Sequence, residues 1–230
     1  MRPVTSTPPT SRATVRRLPE RGVYERDAVH AILDEGMVAH VGLATDDGPV
    51  VIPMLYGRDG DRLLLHGSPA SRLLRGGAKG TEMCVTVTLV DVLVLARSAF
   101  HHSMNYRSVV VFGHATAVTD LEERRAALDL LVEHIVPGRT ADARPPDERE
   151  LRGTLVLALP LDESSVKVRT GAPNDIDEDM DLPVWAGVIP LTTVAGEPID
   201  APDMRSPQPV PAYAARYVRP TAAAGPFSRH

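Results

Sequence analysis

From Arg97 to Gly113 the chain reads Arg-Ser-Ala-Phe-His-His-Ser-Met-Asn-Tyr-Arg-Ser-Val-Val-Val-Phe-Gly, gathering two histidines, an asparagine, a tyrosine and two arginines. A plain chain reversal draws on Gly, Asn, Asp or Pro. Here titratable and donor groups lie between two strand-like apolar runs, residues 92–96 and 109–112, at a strand edge where a rigid scaffold holds binding residues. An imidazole can donate a proton, hydrogen-bond a ligand or coordinate iron. His101, His102 and Tyr106 are the candidate proton donors. Adjacent residues of an extended chain point to opposite sides, so His101 and His102 face one ligand only if the loop is helical or kinked. A satisfied structural histidine is the alternative for either.

A second constellation is Ser68-Pro-Ala-Ser-Arg72. Ser68 is predicted to N-cap a helix with Pro69 at its first position, where the missing N–H costs nothing. A helix start offers unpaired N–H groups and partial positive charge to an anion. The Ser71 hydroxyl and the Arg72 guanidinium would add phosphate ligands. A simple capped helix between strands is the alternative. His40 and His66 fall on predicted strands and read as structural, and Cys84 reads as a buried core thiol. No Cys/His cluster has zinc spacing, and neither a Gly-x-Ser-x-Gly elbow nor a Walker-type loop occurs.

The elements that must carry these groups are strand-dominated. A chain of 230 residues, 43% hydrophobic, can bury one sizeable core. Residues 1–22, rich in Pro, Thr and Arg, read as a flexible arm, 23–200 as the folded domain, and 201–230 as a poorly ordered Pro/Ala-rich tail. A short helix is predicted over residues 27–36, capped by Asp27 and ended by Gly36. Residues 37–45, 49–56 and 62–67 are strands separated by turn signals, an antiparallel meander. Strands resume at 81–90, 92–96 and 106–118, and a helix over 120–134 opens on the capping-box pattern of Asp120 and Glu123. A strand or strand pair at 154–168 follows, then the segment 183–191 with the single tryptophan, Trp185. The predicted class is mainly β (α+β), antiparallel, with flanking helices.

Composition narrows the partners. A net charge of −5 argues against nucleic acid, whose binding calls for a basic surface. No apolar run approaches the roughly 20 residues of a membrane helix, so no membrane association is expected. The start of the chain has no apolar signal region, and one cysteine fits a reducing compartment; the expected location is the cytoplasm.

Several stretches together resemble the flavin-nucleotide-binding branch of the pyridoxamine 5'-phosphate oxidase-like proteins, a branch related to nitroimidazole-resistance proteins. They are residues 24–36, Val51-Ile-Pro53, Leu64-Leu-His-Gly-Ser-Pro-Ala-Ser-Arg72, residues 93–109 and Trp185-Ala-Gly-Val-Ile-Pro190. The resemblance spans about Thr14 to about Leu191, and His-His-Ser-Met-Asn-Tyr-Arg-Ser is its specific part. It implies an FMN-binding split β-barrel, usually a homodimer, with FMN in clefts at the subunit interface. By the resemblance the phosphate would lie on Ser68, Ser71 and Arg72. The isoalloxazine edge would run along Val51, Ile52, Pro53 and Met54, and Asn105 would also face the cofactor. Trp185 would lie near the flavin, from its own or the partner subunit, or serve as a core or interface tryptophan. Arg107 would meet phosphate, a flavin or substrate oxygen, or a structural carboxylate. Some split-barrel proteins hold haem, which makes His101 or His102 a candidate iron ligand, and a deazaflavin is a further alternative cofactor.

The chain also departs from the pattern. Pyridoxamine-phosphate oxidases clamp a substrate phosphate with basic residues near the C-terminus, whereas Trp185 is followed by Ala-Gly-Val-Ile-Pro-Leu-Thr-Thr. Oxidation of pyridoxamine phosphate is therefore not expected. The expected function is an FMN-dependent oxidoreductase passing electrons from NADH or NADPH to a small-molecule substrate. A non-catalytic flavin module or a haem protein is the alternative.

Overall fold

The computed structural model describes residues 7–219; the first six residues of the predicted arm and residues 220–230 of the predicted tail lie outside them. The strands are β1 (Gly22–Val23), β2 (Val38–Thr45), β3 (Gly48–Asp59), β4 (Arg62–Gly67), β5 (Glu82–Leu95), β6 (Ser103–His114), β7 (Thr116–Ala117), β8 (Leu155–Pro160), β9 (Glu163–Arg169) and β10 (Gly187–Pro190). The helices are α1 (Arg26–Glu35), α2 (Arg72–Ala78), α3 (Leu121–Ile135), α4 (Glu148–Arg152) and α5 (Ala212–Ala215). Every strand pairing is antiparallel, in the order β1-β9-β6-β5-β2-β3-β4-β8-β7, with β10 beside β5. This is the mainly-β split barrel with flanking helices expected from the sequence. The split runs through β3: its residues 48–55 pair with β2, and its residues 56–59 pair with β4.

Alternation decides the two faces. Val85 and Val87 are buried, as are Ala39, Val41 and Leu43 of β2 and Val109 and Val111 of β6, and they pack with Val29, Ile32 and Leu33 of α1. Each buried Val, Leu or Ile side chain contributes roughly 1.5–3 kcal/mol. A second cluster forms where Ala127 and Leu131 of α3 cover Leu64, Val156 and Ala158. Gly57 lets α3 come this close: a Cβ there would meet Leu130 at 2.7 Å.

Several expectations are corrected. The two strands at 81–90 and 92–96 are one, β5, with a register shift at Asp91. A bulge admits the polar residue without ending the ladder. The strand expected over 106–118 is β6 followed by the short β7. Glu25, not Asp27, is the N-cap residue of α1, while Gly36 does end it. The loop after α3 contains α4, which opens on a full capping box of Asp147 and Glu150. Cys84 is half-buried rather than a core thiol, because its register partners Gly42 and Phe112 put it on the face opposite Val85.

The described part of the arm lies on the barrel. Arg12 bridges Glu82 and Glu163 and sits 5.0 Å from the centre of the Phe112 ring, and Ala13 is buried. The tail is anchored as far as it is described. Tyr217 donates to the Ile135 carbonyl at 2.7 Å, and Arg219 donates to the carbonyls of Asp34, Glu35, Gly36 and His134. A guanidinium at the C-terminal ends of α1 and α3 also meets the negative end of both helix dipoles. Among the described residues no helix is long and apolar enough to cross a membrane.

Burial holds the imidazoles of His66 and His134 below the usual histidine range. In the window between those lowered values and the ordinary one, the unfolded chain binds protons that the folded chain does not. Stability therefore falls as pH drops through that window, and the loss levels off below the folded values. The melting temperature is expected to decline from about pH 7.5 to about pH 5.5, with a shallower slope in His134→Gln. A slope unchanged in that variant would show that His134 does not contribute.

Candidate functional site

The β5–β6 connection carries His101 as the last residue of a 3-10 turn, Ala99–His101, with His102 as the C-cap residue directly after it. This kink turns both rings back toward Ser98. His101 Nδ1 lies 2.8 Å from Ser98 Oγ, and His102 Nδ1 lies 2.9 Å from the Ser98 carbonyl. The second contact fixes a tautomer. A carbonyl can only accept, so His102 Nδ1 carries the proton and a neutral ring keeps its lone pair on Nε2. His101 instead faces carboxylates: an imidazole nitrogen and carboxylate oxygens of Asp175 and Asp179 lie within 4.8 Å of one another. Both Asp175 oxygens are already engaged by Arg97, through its backbone N–H and Nη1, each at 2.8 Å.

The outer face of the sheet beside this turn is apolar. Met104, Leu93 and Ile189 stand in one register row across β6, β5 and β10, all exposed. Trp185, 65% exposed, extends the row: its indole covers Gly187, where a Cβ would clash with the ring at 2.6 Å. Tyr106 lies further along the same face of β6, half-exposed and paired with Val90.

The proposed ring-binding stretch is a sheet edge. Val51, Ile52 and Pro53 are exposed and Met54 partly so, and among the described residues no strand pairs with the far side of residues 48–55. Backbone N–H and C=O groups pointing out of that edge are therefore open to a ligand or another chain. His40, read from sequence as structural, is exposed beside Pro53 on this surface. Only the strand register reveals that position.

The loop predicted to hold phosphate forms with its helix cap shifted by three residues. Ser71, not Ser68, is the N-cap residue of α2, its Oγ accepting from Leu74 N at 3.4 Å. Ser68 instead closes the preceding turn, accepting from Ala70 N at 3.1 Å. Arg72 is exposed and reaches Asp47 at 3.1 Å, which ties this loop to the turn that begins β3. Ser68, Ser71, Arg72 and the β3 edge thus border one region.

Two sequence candidates are committed elsewhere. Arg107 spends its guanidinium on Glu35, at 2.5 and 2.9 Å, and on Asp91, at 3.0 and 2.7 Å, the structural ion pairing that was one of its sequence alternatives. Its hydrogen bonds to Glu35 and then to Asp91 raise its pKa further. Asn105 is buried, donating to the Gly171 carbonyl at 3.0 Å and accepting from Arg169. Its amide is used within the fold rather than turned to a cofactor.

The chain belongs to the pyridoxamine 5'-phosphate oxidase family, whose signature matches residues 25–168. It is similar in structure to the flavocytochrome Anf3 of Azotobacter vinelandii, with TM-score 0.85 and 37% identity, covering 91% of this chain and 97% of that one. It is likewise similar to a FAD- and haem-binding protein of Mycobacterium smegmatis, with TM-score 0.80 and 40% identity over 84% and 95% of the two chains. A 5-nitroimidazole antibiotic resistance protein of Bacteroides thetaiotaomicron is more distant, at TM-score 0.53 and 26% identity, covering 64% and 86%. No curated protein matches the chain in sequence.

Proposed function

We propose that this chain is a flavocytochrome-type oxidoreductase that binds a flavin nucleotide and haem, working as a homodimer. The observation that carries this reading is the near-full-length likeness, at 37 and 40% identity, to two proteins named for flavin together with haem. Local chemistry fits both groups. The open β3 edge offers backbone donors to a flavin ring, and Ser71 and Arg72 offer a hydroxyl and a cation to its phosphate. The exposed row Met104–Leu93–Ile189, flanked by Trp185, suits a flat apolar group or a partner surface. Val38 of β2 and Val51 and Leu55 of β3 are likewise exposed apolar side chains, which supports self-association.

When bound, the two groups would supply the electron-transfer chemistry. The chain's own residues would position them, limit water at the apolar row, and hold a proton at Tyr106. NADH or NADPH is the expected electron donor, and a small molecule the acceptor. Pyridoxamine phosphate is not expected to be consumed, since no basic residue follows Trp185 up to Thr193.

The visible spectrum of the purified protein, with mass identification of the released chromophores, tests this reading. Flavin bands plus a Soret band are expected, and the flavin mass separates FAD, the form in the mycobacterial relative's name, from FMN or a deazaflavin. A protein that takes up none of these and no haem when supplied with them would overturn it. For the phosphate loop, Arg72→Ala should weaken binding of FMN or FAD roughly tenfold, the scale of one exposed charge-assisted hydrogen bond. Riboflavin, lacking phosphate, should bind both proteins equally. Equal flavin-nucleotide affinity in the variant would remove Arg72 from the site.

A further inference from the structure

We infer that His102, through Nε2, is the iron ligand of the haem site, and that His101 is a positioning residue bound to the 3-10 turn. The inference rests on the haem half of the function proposed above and selects between two adjacent imidazoles that the sequence leaves equivalent. The selection comes from hydrogen bonds. The Ser98 carbonyl accepts from His102 Nδ1 at 2.9 Å, so the proton is held on that nitrogen. Nε2 is left as the basic atom on an exposed ring, and it has no partner among the described residues. A backbone carbonyl behind Nδ1–H is the arrangement that orients metal-bound histidines and raises their basicity. His101 lacks this freedom. Its Nδ1 is against Ser98 Oγ, its ring meets Phe100 edge-on with centroids 5.2 Å apart, and it lies in the Asp175 and Asp179 cluster.

The surroundings of His102 select the kind of iron. β6 begins at the next residue, so Met104 lies two positions along the chain from His102. Met104 begins the exposed apolar row with Leu93 and Ile189 that ends under the Trp185 indole. Phe100, within the turn itself, is 90% exposed. One imidazole lone pair beside an apolar platform, with no carboxylate in contact with it among the described residues, is a poor site for a bare hydrated cation. It would suit iron whose remaining ligands come with an apolar macrocycle.

The test is titration of the full chain with ferric protoporphyrin IX, followed by the Soret position and haem affinity, in wild type, His101→Ala and His102→Ala. Wild type and His101→Ala are expected to give the same Soret maximum. His102→Ala should lose at least tenfold in haem affinity and show a shifted band, while its circular dichroism and flavin uptake stay those of wild type. Imidazole added to His102→Gly should restore the wild-type band. A His102→Ala protein with the wild-type band and affinity, or loss confined to His101→Ala, would overturn the assignment and leave the haem reading standing. Wild type that takes up flavin but no haem would overturn both. Should His102→Ala misfold, the imidazole titration of His102→Gly decides: no spectral response to imidazole would count against His102.

Discussion

Replacing Arg107 with alanine should lower stability by about 3 kcal/mol, because it removes the guanidinium that two partly buried carboxylates share. The guanidinium connects the C-terminal residue of α1, Glu35, to the bulged residue of β5, Asp91, and all of its hydrogen bonds are of charge-assisted geometry. Side-chain exposures of 23% for Arg107, 13% for Glu35 and 32% for Asp91 place the pair between surface and core, which sets the value at the low end of the buried-pair range. For a chain of this size the loss corresponds to a melting point lower by roughly 5–10 °C. Asp91 also holds β10 in place, accepting from Leu191 N at 2.9 Å through its carbonyl. Urea denaturation of Arg107→Ala, with cofactor content per folded molecule measured alongside, distinguishes the roles. Reduced stability with unchanged flavin affinity is expected. A protein as stable as wild type that no longer binds flavin nucleotide would return Arg107 to the phosphate.

Arg107 also illustrates what the sequence conceals. Its partners are 72 and 16 positions away, and nothing local distinguishes an arginine aimed at carboxylates from one aimed at phosphate. The fold was legible because its determinants are local. The Val-Thr-Val-Thr alternation of β5 determines which side faces the core, and Gly and Asp clusters place the meander turns. Boundaries slipped where two local signals competed. Pro69 favours a helix start at Ser68, yet the chain makes a turn first and Ser71 takes the cap. The candidate site was legible as a region: residues 97–107 do form an exposed, polar-tipped hairpin end beside an apolar row. Division of labour within it was not, because it depends on which carbonyl stands behind which ring nitrogen. Likewise the docked arm and tail depend on partners more than a hundred residues distant, such as Glu163 for Arg12 and Asp34 for Arg219. Their Pro-rich composition gives no hint of these contacts.

Asn105→Ala is expected to cost on the order of 3 kcal/mol and to loosen the segment that carries Trp185. Asn105 is 2% exposed and uses both ends of its amide, donating to the Gly171 carbonyl at 3.0 Å and accepting from Arg169. Arg169 is itself buried, and that burial already lowers its pKa, so it depends on the acceptor it is given. Alanine removes the acceptor from a buried cation and leaves a carbonyl unpaired where the chain departs from β9. Four residues beyond Gly171, Asp175 clamps Arg97 at the base of the histidine turn, so slack introduced at Asn105 reaches the candidate haem ligand through a connected set of hydrogen bonds. Asn105→Asp keeps an acceptor for Arg169 and loses only the donor to Gly171, and should cost about 1 kcal/mol. Urea midpoints ordered wild type, Asn105→Asp, Asn105→Ala are expected, with the fluorescence of the single tryptophan shifted in the alanine variant alone. Equal midpoints in all three, with flavin affinity lost in Asn105→Ala, would mean that the amide contacts the cofactor and that its hydrogen bonds within the fold carry little stability.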